Sequence, residues 1–218
     1  MAKRFELIVF DWDGTLMDSA GAIVACIQAA ARDLGLAPPP EERARHVIGL
    51  GLGEALRHAL PELEDERHHE LAERYRYHYL AQDQDLTLFA GAENLVRALN
   101  EAGHLLAIAT GKSRRGLDRA LGHSGLGLLF HATRCADECH SKPHPQMLEE
   151  LMEEFGVAQE ATLMIGDTTH DLLMAKNAGA AAVGVAYGAH PPEALAAEAP
   201  LHLAESIEDL RRWLGANA

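Results

Sequence analysis

Between Phe5 and Phe10 the chain runs Phe-Glu-Leu-Ile-Val-Phe and then stops at Asp11. So short and apolar a run predicts a buried strand over 5–10, whose C-terminal end delivers polar residues. The period then lengthens. Ile23, Ile27, Ala30 and Leu34 share one helical face, with Ser19 as N-cap and Gly35 as stop signal, so a helix is expected from Ser19 to about Leu34. Pro38-Pro39-Pro40 breaks the path. From Glu41 to about Gln84 the pattern stays helical: one segment over 41–47, another over 53–60, and a long one after Pro61 carrying Leu71, Tyr75 and Tyr79 at i, i+4 spacing.

After Phe89-Ala90-Gly91 the period alternates. Helices are expected over 92–102, 114–122, 146–155, 170–178 and 206–214, and strands over 105–109, 130–134, 162–165, 180–185 and 201–203. Strands that alternate with helices predict an α/β fold, a doubly wound parallel sheet of Rossmann-like form covered on both faces. The helical block between the first strand and this alternation reads as an inserted all-helical cap. The expected division is 1–19 with 88–218 as the core and 20–87 as the cap.

A length of 218 residues, 48% hydrophobic, suits one full-sized unit with a smaller insert. No apolar run approaches the roughly 20 residues that cross a bilayer, and Met1-Ala2-Lys3-Arg4 leads directly into the first strand, so a cytoplasmic protein is expected. Cys26, Cys135 and Cys139 read as reduced thiols. The spacing of Cys135 and Cys139 with His131, His140 and His144 matches no compact zinc knuckle. A formal net charge of -14 argues against nucleic acid and anionic membranes as partners. Any phosphate site must therefore be built from a few placed lysines, helix N-termini and a bound cation. The oligomeric state is left open between monomer and weak dimer.

Ligands of an open parallel sheet bind beyond the C-terminal ends of its strands. There the chain carries Asp11-Trp12-Asp13-Gly14-Thr15-Leu16 after the first strand, Thr110-Gly111-Lys112-Ser113 after the next, and Gly166-Asp167-Thr168-Thr169-His170-Asp171 after a later one. Lys142 lies in the loop Ser141-Lys142-Pro143. Brought to one sheet edge, Asp11, Asp13, Thr110, Lys142, Asp167 and Asp171 supply a carboxylate nucleophile, an acid/base, a hydroxyl donor, a cation and metal ligands.

With all four motifs in order, the chain resembles the haloacid dehalogenase-like superfamily, specifically its phosphatases with a helical cap after the first motif. Within these it is most similar to the phosphoglycolate phosphatase-like branch. The resemblance covers nearly the whole chain and implies a small phosphorylated metabolite as substrate and Mg2+ as cofactor. It implies that Asp11 attacks phosphorus to form an aspartyl-phosphate and that Asp13 carries the proton, with Thr15 helping to position Asp13. Lys142 then pairs with nucleophile and phosphoryl oxygens, while Thr110, Gly111 and Lys112 contact the transferring group or substrate. The implied metal residues are Asp11, Asp13 through its carbonyl, Asp167, and Asp171 directly or through water. Gly111 departs from the Asn that many phosphoglycolate phosphatases have at that place.

The presence of Asp13 disfavours a dehalogenase, which needs no leaving-group acid there. Expected substrates are 2-phosphoglycolate first, with a sugar phosphomutase or a pyrophosphatase as alternatives, and a catalytically silent interaction protein as the non-enzymatic one. Ile48-Gly49-Leu50-Gly51-Leu52-Gly53 reads either as a substrate-facing loop or as a helix connector. Lys112 contacts substrate anions or merely sits at a helix start. Tyr75 and Tyr79 read as packing residues, and the cap histidines His58, His68, His69 and His78 are assigned no role.

Overall fold

The computed structural model describes residues 4–218. Six strands, β1 (Leu7–Phe10), β2 (Leu105–Thr110), β3 (Ala132–Cys135), β4 (Thr162–Gly166), β5 (Ala181–Val185) and β6 (Leu203–Ala204), form one sheet in the order β3-β2-β1-β4-β5-β6. Every pairing is parallel, and Phe10 lies between Ile108 of β2 and Ile165 of β4. Successive strand residues point to opposite faces. Thus Ile8 and Phe10 join the layer of α5 (Ala92–Glu101), α6 (Arg114–Ser124) and α10 (Ile207–Asn217), whereas Leu7 and Val9 join that of α7 (Gln146–Phe155) and α8 (Thr169–Asn177). Two covered faces are why β1 is apolar throughout rather than alternating.

The segment after β1 forms α1 (Ala20–Asp33), α2 (Glu41–His46), α3 (Leu52–Ala59) and α4 (His68–Gln82). These helices carry their own apolar cluster, in which Ile27, Leu56 and Leu71 are buried and α1 packs along α4. The two chain segments that join it to the sheet are hydrogen-bonded to each other: Asp18 N donates to Thr87 O and Phe89 N to Leu16 O. No helix of the described residues is long and apolar enough to cross a membrane.

The expected elements are present with small shifts at the edges. β3 and β6 begin two residues later than the sequence pattern suggests, because an edge strand extends only where it finds a partner: Ala107–Thr110 for β3, Gly184 and Val185 for β6. A six-residue helix, α9 (Pro192–Ala197), was not expected from the pattern. Pro192 in its first turn is compatible with a helix start, where no backbone N–H is needed. Leu56→Ala should lower stability by about 2–5 kcal/mol through the cavity it leaves in the helical cluster, read as a lower urea midpoint; an unchanged midpoint would show that this cluster is loosely packed.

Candidate active site

β1 is the middle of the reversal in strand order, and its C-terminal end opens on the crevice where such sheets bind ligands. Asp11 follows it directly, held in the strand direction by its N–H to Ile165 O at 2.9 Å. Thr110 ends β2, Asp167 follows β4, and Asp171 sits in the first turn of α8. Asp11, Thr110, Lys142, Asp167 and Asp171 are each no more than 1% exposed, and Asp13 is 8% exposed. Gly14 turns the chain at φ +82°, and a side chain there would collide with the Asp167 carboxylate.

Lys142 Nζ lies 2.8 Å from Asp11 Oδ1 and donates to Asp171 Oδ1 at 2.6 Å. The other Asp171 oxygen accepts from Thr168 N and Thr168 Oγ1, which closes a capping box on α8. Burial pushes the Asp11 carboxyl up to about 7 even against the Lys142 charge. Asp167 is pushed well above the usual carboxylate range by burial and by the neighbouring Asp11 and Asp171 charges. Burial works against the Lys142 ammonium, but Asp11 and Asp171 outweigh it and hold its pKa above the ordinary lysine value.

This site fits a divalent cation. Asp11, Asp167 and Asp171 offer buried carboxylate oxygens within 4.8 Å of one another, and Asp11 Oδ2 meets no hydrogen-bond donor on the protein. Four carboxylates here meet two ammonium groups, Lys112 and Lys142. The excess of negative charge and the all-oxygen donor set match a hard cation such as Mg2+. Asp171 has one oxygen on Lys142 and the other on Thr168, whereas Asp167 meets only neutral donors, Thr15 and Ala189, and Asp11 keeps Oδ2 without a protein donor.

Three local readings change. Thr15 Oγ1 donates to Asp167 Oδ1 at 2.7 Å, so it orients Asp167 and not Asp13. Ser19 makes no side-chain bond to its helix; its hydroxyl donates to Asp13 Oδ1 at 2.7 Å. Tyr79, read as packing, is buried and also accepts a hydrogen bond at its hydroxyl from Lys112 Nζ at 2.8 Å. Lys112 in turn donates to both Asp13 oxygens, at 3.0 and 2.9 Å. Sequence reasoning also passed over the loop after β5. Its Ala189 N donates to Asp167 Oδ2 at 2.8 Å, and a side chain at Gly188 would overlap Asp167. The two small residues Gly188 and Ala189 beside the sheet edge are the only signal for it.

Asp11, Asp13, Thr110 and Lys112 line a cavity of about 590 Å³ roofed by the loop Val47–Gly53 and by Tyr75 and Tyr79 of α4. That loop rests on the sheet edge. Gly51 N donates to Ser141 Oγ at 2.9 Å, and a Cβ on Gly111 would lie 2.5 Å from the carbonyl oxygens of Gly49 and Leu50. The glycine that departs from the commoner Asn is thus where the helical insert touches the core. A second contact lies beside it: His170 and His190 each donate through Nε2 to His46 O, at 2.8 and 3.0 Å. Burial, with His170 alongside, pushes His190 down to about 4, so its ring stays neutral and Nδ1 accepts from Thr169 N.

These observations agree with comparison to known proteins. Residues 8–185 match the family model described as haloacid dehalogenase-like hydrolase, and the chain belongs to that family. It is 37% identical over 211 residues to "Probable phosphatase IndB" of Dickeya dadantii, covering 94% of this chain and 91% of that protein. It is 32% identical over 217 residues to a phosphoglycolate phosphatase of Vibrio vulnificus, covering 95% of each. A crystal structure of a hydrolase from Pseudomonas syringae superposes with a TM-score of 0.88 at 26% identity, over 97% of this chain and 98% of that one. Within the family, this chain is a phosphatase.

A carboxyl whose folded pKa lies above its unfolded one favours the fold at low pH, and that contribution is lost as pH rises through the folded value. In chelator-treated protein, Asp11→Asn should therefore gain stability over the wild type between pH 4 and pH 7, on the order of 1.4 kcal/mol per pH unit; urea midpoints with no pH-dependent difference would contradict the burial argument. Gly111→Ala should push the Gly49–Leu50 loop off the sheet edge and raise KM several-fold at nearly unchanged melting temperature. An unaltered KM would mean that this contact does not shape the substrate site.

Proposed function

We propose that this phosphatase hydrolyses a small phosphorylated metabolite in the cytoplasm through an aspartyl-phosphate on Asp11, with Mg2+ as cofactor and 2-phosphoglycolate as the leading substrate. The observation that carries the mechanism is Asp11 itself: a buried carboxylate at the mouth of the crevice, with one oxygen beside Lys142 and the other without any protein donor. An oxygen so placed is available to phosphorus. The relative of known name from Vibrio vulnificus supports the substrate, and three free cysteines, Cys26, Cys135 and Cys139, support a reducing compartment.

In the first half-reaction Asp11 attacks phosphorus in line while Lys142 and the Thr110 hydroxyl hold phosphoryl oxygens. Asp13 gives its proton to the departing ester oxygen. In the second, Asp13 takes a proton from water as that water attacks phosphorus and releases Asp11. The Asp11 and Asp167 carboxylates and the Asp13 carbonyl would hold the cation, which would supply neutralisation of charge on the phosphoryl oxygens. Asp171 orients Lys142, Thr15 and Ala189 orient Asp167, and Ser19 orients Asp13. The helical insert shuts the cavity against water.

Phosphate release from a panel of phosphorylated metabolites with Mg2+ tests the reading. Release should fall by at least about a thousandfold in Asp11→Asn, as expected when a nucleophile is removed, and should stop with chelator. Turnover that requires a sugar bisphosphate primer would point to a phosphomutase instead, release from inorganic pyrophosphate alone to a pyrophosphatase, and no turnover of any phosphate compound to an interaction protein.

A further inference from the structure

The buried end of the substrate cavity does not itself draw an anion out of solution. Its two ammonium groups are already committed, Lys142 to Asp11 and Asp171 and Lys112 to Asp13, and the four carboxylates there outnumber them. A divalent cation would bring that end to neutrality, not to net positive charge. The chain as a whole carries a formal charge of -14. A phosphate ester that approaches from solvent therefore meets a repulsive field unless positive charge stands nearer the surface.

The outer lining of the cavity supplies that charge. Arg76 of α4 and Arg115 of α6 both line it and both are exposed, whereas the side chains of Asp11, Asp13 and Lys112 are no more than 11% exposed. Burial thus orders the lining by depth, with the two arginines at the mouth, one on the helical insert and one on the core. Neither makes an ion pair among the described residues, although Arg74, Arg114 and Arg119, close to them in sequence, pair with Asp33, Glu138 and Asp83. Glu54 and Asp137 also reach the lining, but neither pairs with Arg76 or Arg115, and Asp137 accepts from Arg114 N instead. In a chain with 33 acidic against 19 basic residues, two guanidinium groups without a carboxylate partner at one opening form a local exception to the overall charge. Like charges there repel one another, and an anion between them satisfies both. The forked donors of a guanidinium suit phosphate oxygens.

We propose that Arg76 and Arg115 form an oxyanion-docking site at the cavity mouth, separate from the phosphoryl site on its floor, which takes the phosphate group of the ester as it enters. This rests on the phosphatase reading above and adds a binding step before the chemistry. No covalent bond changes at the mouth. The site recognises the phosphate and not the organic half, so it acts alike on every ester that the enzyme turns over. Because one arginine stands on the insert and the other on the core, an anion held by both draws the two parts together. The Asp83–Arg119 pair, at 3.0 Å, joins the same two parts without a ligand.

The test follows kcat/KM for p-nitrophenyl phosphate and for 2-phosphoglycolate at fixed Mg2+, from an ionic strength of about 0.01 M, where charges act over about 30 Å, to about 1 M, where they act over about 3 Å. For wild type it should fall with added salt on both esters. In Arg76→Gln/Arg115→Gln it should be about tenfold lower at the low-salt end, at the modest end of the range for steered association, with the loss in KM and little salt dependence left. Either single Gln variant should show an intermediate loss, which keeps the reading available if the double variant does not fold. Arg76→Lys/Arg115→Lys keeps the charge and should restore most of the low-salt value. Arg97→Gln/Arg211→Gln changes the net charge equally on α5 and α10, outside the cavity lining, and should keep the wild-type slope. Gln variants with the wild-type value and slope, or an equal loss in the Arg97 and Arg211 pair, would overturn the docking site and leave the phosphatase mechanism standing. So would a loss confined to 2-phosphoglycolate, since the arginines would then read its carboxylate. Wild type that turns over neither ester overturns both.

Discussion

Two carboxylates, Asp11 and Asp171, share the ammonium of one fully buried lysine at the edge of a parallel sheet, and the rest of the molecule is arranged around that contact. Ions out of water are costly unless each finds a partner. Lys142 covers one oxygen of each, Thr168 covers the other oxygen of Asp171, and Thr15 and Ala189 cover Asp167. The remaining Asp11 oxygen has no protein partner. The network thus leaves Asp11 Oδ2 without either a donor or a cation, and carries a surplus of negative charge that a divalent cation would balance.

Packing explains how such a network is held in place. β1 is buried on both faces, so its end cannot shift without disturbing both helical layers. The turn beyond it passes so close to Asp167 that only glycine fits at 14, and the loop after β5 closes from the other side with glycine at 188. The helical insert has its own apolar cluster, joined by Ala189, and meets the rest of the molecule through polar contacts that include Gly51 to Ser141, the His46 carbonyl to two histidines, Tyr79 to Lys112 and Asp83 to Arg119. A unit with its own core and a polar, hydrogen-bonded seam can move as a body. Because Asp13 is held by Ser19 at one joint of the insert and, through Lys112, by Tyr79 on its longest helix, the position of the Asp13 carboxylate depends on where the insert sits.

The sequence by itself determined the alternation of strands and helices, the parallel sheet, the helical insert and the set of polar residues after each strand. These follow from local rules: apolar runs of strand length, helical periodicity, and the requirement that polar residues beginning at a strand's end face the crevice. Asp11, Asp13, Thr110, Lys142, Asp167 and Asp171 were all legible in this way, and all meet at one edge. Only the tertiary structure decided what each of their neighbours does. Ser19 has the composition of a helix cap, Thr15 of a turn residue and Tyr79 of a packing stripe, yet each spends its hydroxyl on a partner that is fixed by how the sheet edge, the joint and the insert come together. A hydrogen bond across 152 residues, as between Thr15 and Asp167, leaves no periodicity to read. Periodicity records burial, whereas the choice of partner for a buried polar group is made when distant segments pack.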